Sequence, residues 1–304
     1  NDYSVDFEAL PTVWGFTKSG SNPLIAISNG AGGLEFYPPV VKRWAVNEWF
    51  VMAKANIEGW ASFSTDGVTW DAPTKLIPKG TGTQWDLDLV APSFIALEGS
   101  TYKCLYSGYN VTNPSNPGLY NYKIGMATTS TYTTGWTKEA SYIYDVSEYN
   151  AVNGTSWNSI QLGDAVKIGN KWWYFGSAYN NTFTDGDIIY GVGDENGALE
   201  DIRMDTKIAS FKQMNAYWEW FQRPQVFQSG GYWYMTMSMG NIIYDTTKSN
   251  ITFYCFKTSN SEPRFSRADF IYSPIIMPDE AAVYENNFDY NGTWLKNNDG
   301  TLIS

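Results

Sequence analysis

Carboxylates are the residues of this sequence best suited to acid–base chemistry, because the chain contains no histidine. A Ser–His–Asp triad, a His general base and a His-ligated zinc are therefore excluded, and proton transfer falls to Asp, Glu, Tyr or Lys. Two carboxyl groups can cleave an acetal when one donates a proton while the other stays ionised. Four acidic residues lie near the starts of strand-like segments and are the catalytic candidates. They are Glu35, Asp88, Asp164 and Glu219.

Aromatic and polar residues beside these carboxylates could hold a ligand with many hydroxyl groups. Rings stack on the apolar C–H faces of sugars, and this chain has 14 Trp and 22 Tyr. The predicted ligand-binding residues are Tyr37, Trp85, Asp86, Trp220, Gln222 and Arg223. The arginine has a second interpretation, as a structural link between neighbouring carboxylates.

Composition limits the fold and the partners. The chain has 304 residues, of which 43% are hydrophobic and 17% charged, and we predict one folded domain over 1–304. Its net charge is −11, without blocks of Lys or Arg, so we expect neither nucleic acid nor a membrane surface as partner. No cofactor is predicted. A structural Ca²⁺ is compatible with the many oxygen ligands, but no spacing motif points to one.

An internal repeat predicts the architecture. Short aromatic and β-branched runs alternate with turn clusters, and no stretch keeps a helical period. Four segments share a pattern of two apolar positions, a turn and an aromatic strand, and they begin at Tyr37, Val90, Leu162 and Phe221. The spacing of roughly 55–65 residues is typical of propeller blades. We therefore predict an all-β, five-bladed β-propeller whose last blade is closed by N- and C-terminal strands.

Two further features are expected to be structural. The segment SFSTDGVTW holds Asp66 in a tight turn between blade strands, as in sialidase-like propellers, so this aspartate is left out of the site. Cys104 and Cys255 fall within apolar strands about 150 residues apart. We predict two free, buried thiols.

Three stretches give the chain a resemblance to a known superfamily. WDLDLVAPSFIALEGSTYKCLYSG, LGDAVKIGNKWWYFGSA and FQRPQVFQSGGYWYMTMS, in this order, resemble blade segments of the five-bladed glycoside hydrolases of families 43, 32 and 68. The resemblance implies that Asp164 is one of three catalytic carboxylates. The other two positions carry Pro38 and Gln222, where the families have Asp and Glu.

These observations leave three functions open. The first is hydrolysis of a glycosidic bond by rearranged carboxylates such as Glu35 and Glu219. The second is a non-catalytic glycan-binding propeller, such as a phage receptor-binding or surface polysaccharide recognition module. The third is a purely structural interaction domain, whose aromatic residues pack the blades. The expected partner is an oligo- or polysaccharide, and the expected location is extracellular or on a virion or cell surface.

Overall fold

The computed structural model describes residues 37–111, 120–181, 185–214, 218–241, 250–276 and 296–302. Helix is scarce in these ranges, as predicted. It is limited to α1 (Ser147–Asn153), α2 (Phe211–Met214) and a 3-10 turn at Arg267–Asp269. No helix in these ranges is long and apolar enough to cross a bilayer.

Strands dominate the described residues and form four sheets of four strands each. Every neighbouring pair of strands is antiparallel, and the strands of each sheet follow one another in chain order. Blade 1 contains β1 (Tyr37–Ala45), β2 (Glu48–Ala55), β3 (Glu58–Ser64) and β4 (Thr74–Ile77), and blade 2 contains β5 (Leu89–Glu98), β6 (Thr101–Tyr109), β7 (Lys123–Thr129) and β8 (Thr137–Lys138). Blade 3 contains β9 (Ser159–Ile168), β10 (Lys171–Tyr179), β11 (Gly186–Val192) and β12 (Thr206–Ser210), and blade 4 contains β13 (Trp218–Ser229), β14 (Tyr232–Asn241), β15 (Asn250–Thr258) and β16 (Phe270–Ile276).

The first strands of the blades converge on a common axis. Strand β1 lies against β5, β5 against β9, and β9 against β13, which makes these the inner strands of a propeller. We call the end at which the inner strands start the upper edge, and the end at which they finish the lower edge. Because the strands are antiparallel, each second strand ends at the upper edge and each third strand starts there.

The core fills the spaces between neighbouring blades. One cluster joins blades 1 and 2, a second joins blades 2 and 3, and a third joins blades 3 and 4. In the second cluster Phe94 meets the ring of Trp172 edge to face, at 5.5 Å between centroids. Burial of each such ring contributes about 1.5–3 kcal/mol. The inner strands β5 and β9 carry unbroken runs of buried residues, because blades 2 and 3 are packed on both of their faces.

The structure confirms four predicted blades and the all-β propeller class. The terminal segments predicted to make the fifth blade fall mostly outside the described residues. Cys104 and Cys255 are free and buried, as predicted, and burial raises the pKa of the Cys255 thiol to about 12. Asp66 accepts bonds from the amides of Thr69 and Val68 and from the Ser64 hydroxyl, which together lower its carboxyl pKa. Its predicted role as a turn residue is confirmed.

Candidate functional site

Asp164 lies on the inner strand β9 and is 2% exposed. Its Oδ1 accepts a hydrogen bond from the Ala165 amide at 2.9 Å, and its Oδ2 accepts one from the Val226 amide of β13 at 2.7 Å. Gly163 permits this crossing, because a Cβ at that position would lie 2.4 Å from the Pro224 carbonyl oxygen. The carboxylate therefore links the inner strands of blades 3 and 4.

Two lysines complete a group at the axis that we call the axial charge cluster, made of Lys42, Asp164 and Lys296. The Lys296 ammonium pairs with Asp164 Oδ2 and also donates to the Val226 carbonyl. Lys42, on β1, places its ammonium 4.5 Å from the centroid of the Phe94 ring on β5. All four inner strands thus contribute to the surroundings of the cluster. Burial lowers the pKa of both lysines, and that of Lys42 falls to about 7.

Arg223 also lies at the axis, on β13, and is 6% exposed. Its φ of 52° is in the left-handed region, next to an irregularity in the pairing of β13 with β14. Such a conformation costs about 1–2 kcal/mol in a residue with a Cβ. The guanidinium donates to the Pro92 carbonyl of blade 2 at 2.7 Å. Arg223 therefore reaches from blade 4 to blade 2, where it binds a backbone carbonyl.

Trp85 and Asp86, two of the predicted ligand-binding residues, lie on the face of blade 2. The Trp85 ring stacks on Tyr106 of β6 at 5.5 Å, and a Cβ on Gly125 of β7 would lie 2.5 Å from it. Asp86 is 2% exposed, accepts from the Tyr106 hydroxyl at 3.0 Å and pairs with Lys138 of β8 at 2.7 Å. The loop before β5 folds back over its own blade, and this carries both side chains outward.

The remaining candidates are placed in part. Asp88 caps the loop after β6, because its Oδ2 accepts from the Val111 amide at 2.7 Å. Glu35 lies outside the described residues. The backbone of four further candidates is described, within β1 or β13, and their side chains are not: Tyr37, Glu219, Trp220 and Gln222. Of the candidate carboxylates whose side chains are described, Asp86 lies over β6 to β8, whereas Asp164 lies between β9 and β13.

A group of tyrosines at the upper edge of blades 2 and 3 was not predicted from the sequence. We call it the tyrosine edge, and it consists of Tyr109, Tyr120, Tyr122 and Tyr179. Tyr109 is 5.2 Å from Tyr120 and 4.7 Å from Tyr122, and Tyr122 is 6.1 Å from Tyr179, between ring centroids. Tyr120 is 40% exposed, whereas Tyr179 is 1% exposed. The group therefore runs from the core out to the surface.

Lys42 and Lys296 were also missed by sequence reasoning. Lys42 alternates with apolar positions in an inner strand, with buried Val40 two residues before it, and that pattern could have marked it as inward-facing. Lys296 lies in WLKNNDG, which carries no comparable signal. Among the residues that the structure describes, no group of three or more Cys, Asp or Glu is arranged to hold a metal ion.

Comparison with known proteins bears on the fold. The sequence matches no protein-family model and no curated protein sequence. Among solved structures, a family 43 endo-arabinanase from Bacillus licheniformis is 17% identical, with a TM-score of 0.55 over 83% of this chain and 82% of that one. An α-L-arabinofuranosidase from Lactobacillus brevis is 11% identical, with a TM-score of 0.59 over 83% of this chain and 75% of that one.

A family 32 β-fructofuranosidase from Bombyx mori has a TM-score of 0.53 at 11% identity, over 76% of this chain and 46% of that one. Identities this low carry information on architecture and not on activity. The fold predicted from the three sequence stretches is the one that these structures share. The chain therefore has the β-propeller fold of the glycoside hydrolases of families 43 and 32.

Proposed function

We propose that this protein binds an oligo- or polysaccharide at the upper edge of the propeller. It would be a glycan-recognition protein with a glycoside hydrolase-like fold. The tyrosine edge is the observation that carries the proposal. It offers an exposed ring at Tyr120, supported from behind by Tyr109 and Tyr122. Rigid aromatic surfaces of this kind bind the C–H faces of sugars with little loss of conformational entropy.

The surroundings of Asp164 favour recognition over hydrolysis through this residue. A catalytic carboxylate needs a free lone pair or a proton directed at the substrate. Both oxygens of Asp164 instead accept bonds from the protein, and the side chain is almost fully buried. The sequence also places Pro38 and Gln222 at the two other family positions, and a glutamine amide cannot serve as a general acid.

Glycan binding can be tested with Tyr120→Ala and a matched control, Tyr232→Ala. Tyr232 has nearly the same exposure, 39%, but begins β14 at the lower edge of blade 4. Affinity electrophoresis against arabinan, fructan and acidic bacterial polysaccharides should identify a retained polymer. Tyr120→Ala should weaken retention roughly tenfold, as expected when one stacking ring is lost. Equal weakening by the two variants, or no retention by any polymer, would contradict the proposal.

Hydrolysis by other carboxylates is the second candidate, favoured by the glycoside hydrolase activity named for the similar solved structures. Glu35 and Glu219 would supply the acid–base pair. Incubation with the retained polymer, followed by a reducing-sugar assay, tests this directly. Release that is abolished by Glu219→Gln and Glu35→Gln would support hydrolysis. Binding without release would leave recognition as the function.

A polysaccharide partner also bears on location. Such polymers are found outside cells, and an excess of acidic over basic residues keeps a protein soluble there. We therefore propose an extracellular, virion-surface or cell-surface location. Immunodetection of the tagged protein in culture fluid, cell-surface and cytosolic fractions would test it.

A further inference from the structure

Lys42 is a buried lysine on the inner strand of blade 1. The residue is 5% exposed, and it donates no hydrogen bond to any residue that the structure describes. The ammonium lies over the face of Phe94, 4.5 Å from the centroid of the ring. The face of an aromatic ring compensates for part of the hydration that a buried ammonium loses. The interaction contributes about 2 kcal/mol when the pair is desolvated. Removal of an ammonium from water costs several kcal/mol, so this contact alone leaves the charge undercompensated.

The charges near Lys42 do not balance. Within the part of the chain that the structure describes, Lys296 and Asp164 are the charged groups that act on Lys42, the first lowering and the second raising its pKa. Lys296 is already paired with Asp164. Two cations and one anion leave the axial charge cluster with a net charge of +1 when both lysines are protonated.

The excess positive charge of the axial charge cluster can be removed in two ways. Lys42 can lose its proton, and the lowered pKa of about 7 shows that burial favours this. Alternatively, an anion bound next to the ammonium can accept a hydrogen bond from it. Near and below neutral pH the second route keeps Lys42 protonated, because a negative neighbour favours the charged form of a lysine.

We propose that the axial charge cluster binds one small monovalent anion, of the size and chemistry of chloride, beside the ammonium of Lys42. The anion brings the cluster to zero net charge and accepts a hydrogen bond from Lys42. It is a structural ligand of the axis.

The experiment measures thermal unfolding of the full chain at constant ionic strength, with chloride replacing gluconate, a much larger anion. At pH 6, chloride should raise the melting temperature in a saturable way. A chloride concentration ten times the dissociation constant should give an increase of about 3 °C. At pH 9 the increase should be much smaller, since unliganded Lys42 is then neutral.

Two variants separate the site from general salt effects. Lys42→Met should abolish the chloride response at pH 6, whereas Lys171→Met, which removes an exposed lysine, should retain it. If Lys42→Met does not fold, the pH dependence of the response in the unmodified chain remains decisive. A response that is equal at the two pH values, absent at both, or produced by glucuronate and not by chloride would overturn the proposal. A negative result in the glycan-binding experiment would not affect the proposed anion site.

Discussion

Asp164 and Asp86 are two buried aspartates, each paired with one lysine, and they differ in what surrounds the pair. Asp164 and Lys296 both have side chains 3% exposed, and backbone amides of β9 and β13 donate to the carboxylate. The Asp86 side chain is also 3% exposed, but that of Lys138 is 16% exposed and the pair lies on the face of one blade. The first pair joins two blades at the axis, while the second fastens a loop to the blade that follows it.

The difference shows that proximity to the start of an inner strand does not determine a carboxylate's role. Both aspartates come from segments that resemble glycoside hydrolase blades, and both have protein partners that occupy their oxygens. Their contributions to stability should nevertheless differ, because water can reach Lys138 and cannot reach Lys296.

The largest effect is expected for Asp164→Asn. The amide would remove the anionic partner of Lys296 from the axial charge cluster, and loss of one partner from a buried ion pair costs about 3–5 kcal/mol. Urea unfolding followed by tryptophan fluorescence would measure the change in unfolding free energy. A loss below about 1 kcal/mol would mean that water reaches the axial charge cluster.

A smaller loss is expected for Asp86→Asn. Lys138 can turn toward water when its partner is neutral, so the cost should be that of a charged hydrogen bond, about 1.5–3 kcal/mol. The same urea titration gives the value, with Tyr106→Phe as a control that removes the hydroxyl donor alone. If Asp86→Asn proved as costly as Asp164→Asn, the contrast between the two pairs would not hold.

Lys42→Met should change stability in the opposite direction. With gluconate as the anion, the variant should be roughly 1–3 kcal/mol more stable than the unmodified chain at pH 6, since a buried charge is replaced by an apolar side chain of similar length. Folding lowers the pKa of Lys42 from 10.5 to about 7, so the unfolded chain binds more protons between these values. Stability of the unmodified chain should therefore rise from pH 7 to pH 10, and the variant should lack that part of the rise. Urea midpoints across this range would show it, and parallel pH profiles would refute it.

The repeat pattern predicted the blades well because strand alternation and turn residues are local properties of the sequence. The segments that begin at Tyr37, Val90, Leu162 and Phe221 all became inner strands. The contacts that individual side chains make were harder to predict. The Trp85 ring packs against Gly125, which lies 40 positions away in the sequence and leaves room for the ring because it has no Cβ. Asp164 acquired Lys296, 132 residues later, and no local pattern encodes such a pairing.

The segment 296–302 also ties the ring together. Its Asn298 carbonyl accepts from the Lys167 amide at 2.6 Å, and its Gly300 carbonyl accepts from the Gln228 amide at 2.8 Å, so one short stretch bonds the inner strands of blades 3 and 4. During synthesis on the ribosome, blades 1 to 3 are complete long before this segment emerges. The ion pair between Asp164 and Lys296 can form only after this segment has been synthesised. Closure of the long loop between the two residues is slow. Cotranslational folding should therefore leave a partly built propeller in which Asp164 gains its ammonium partner only after blades 1 to 3 are complete.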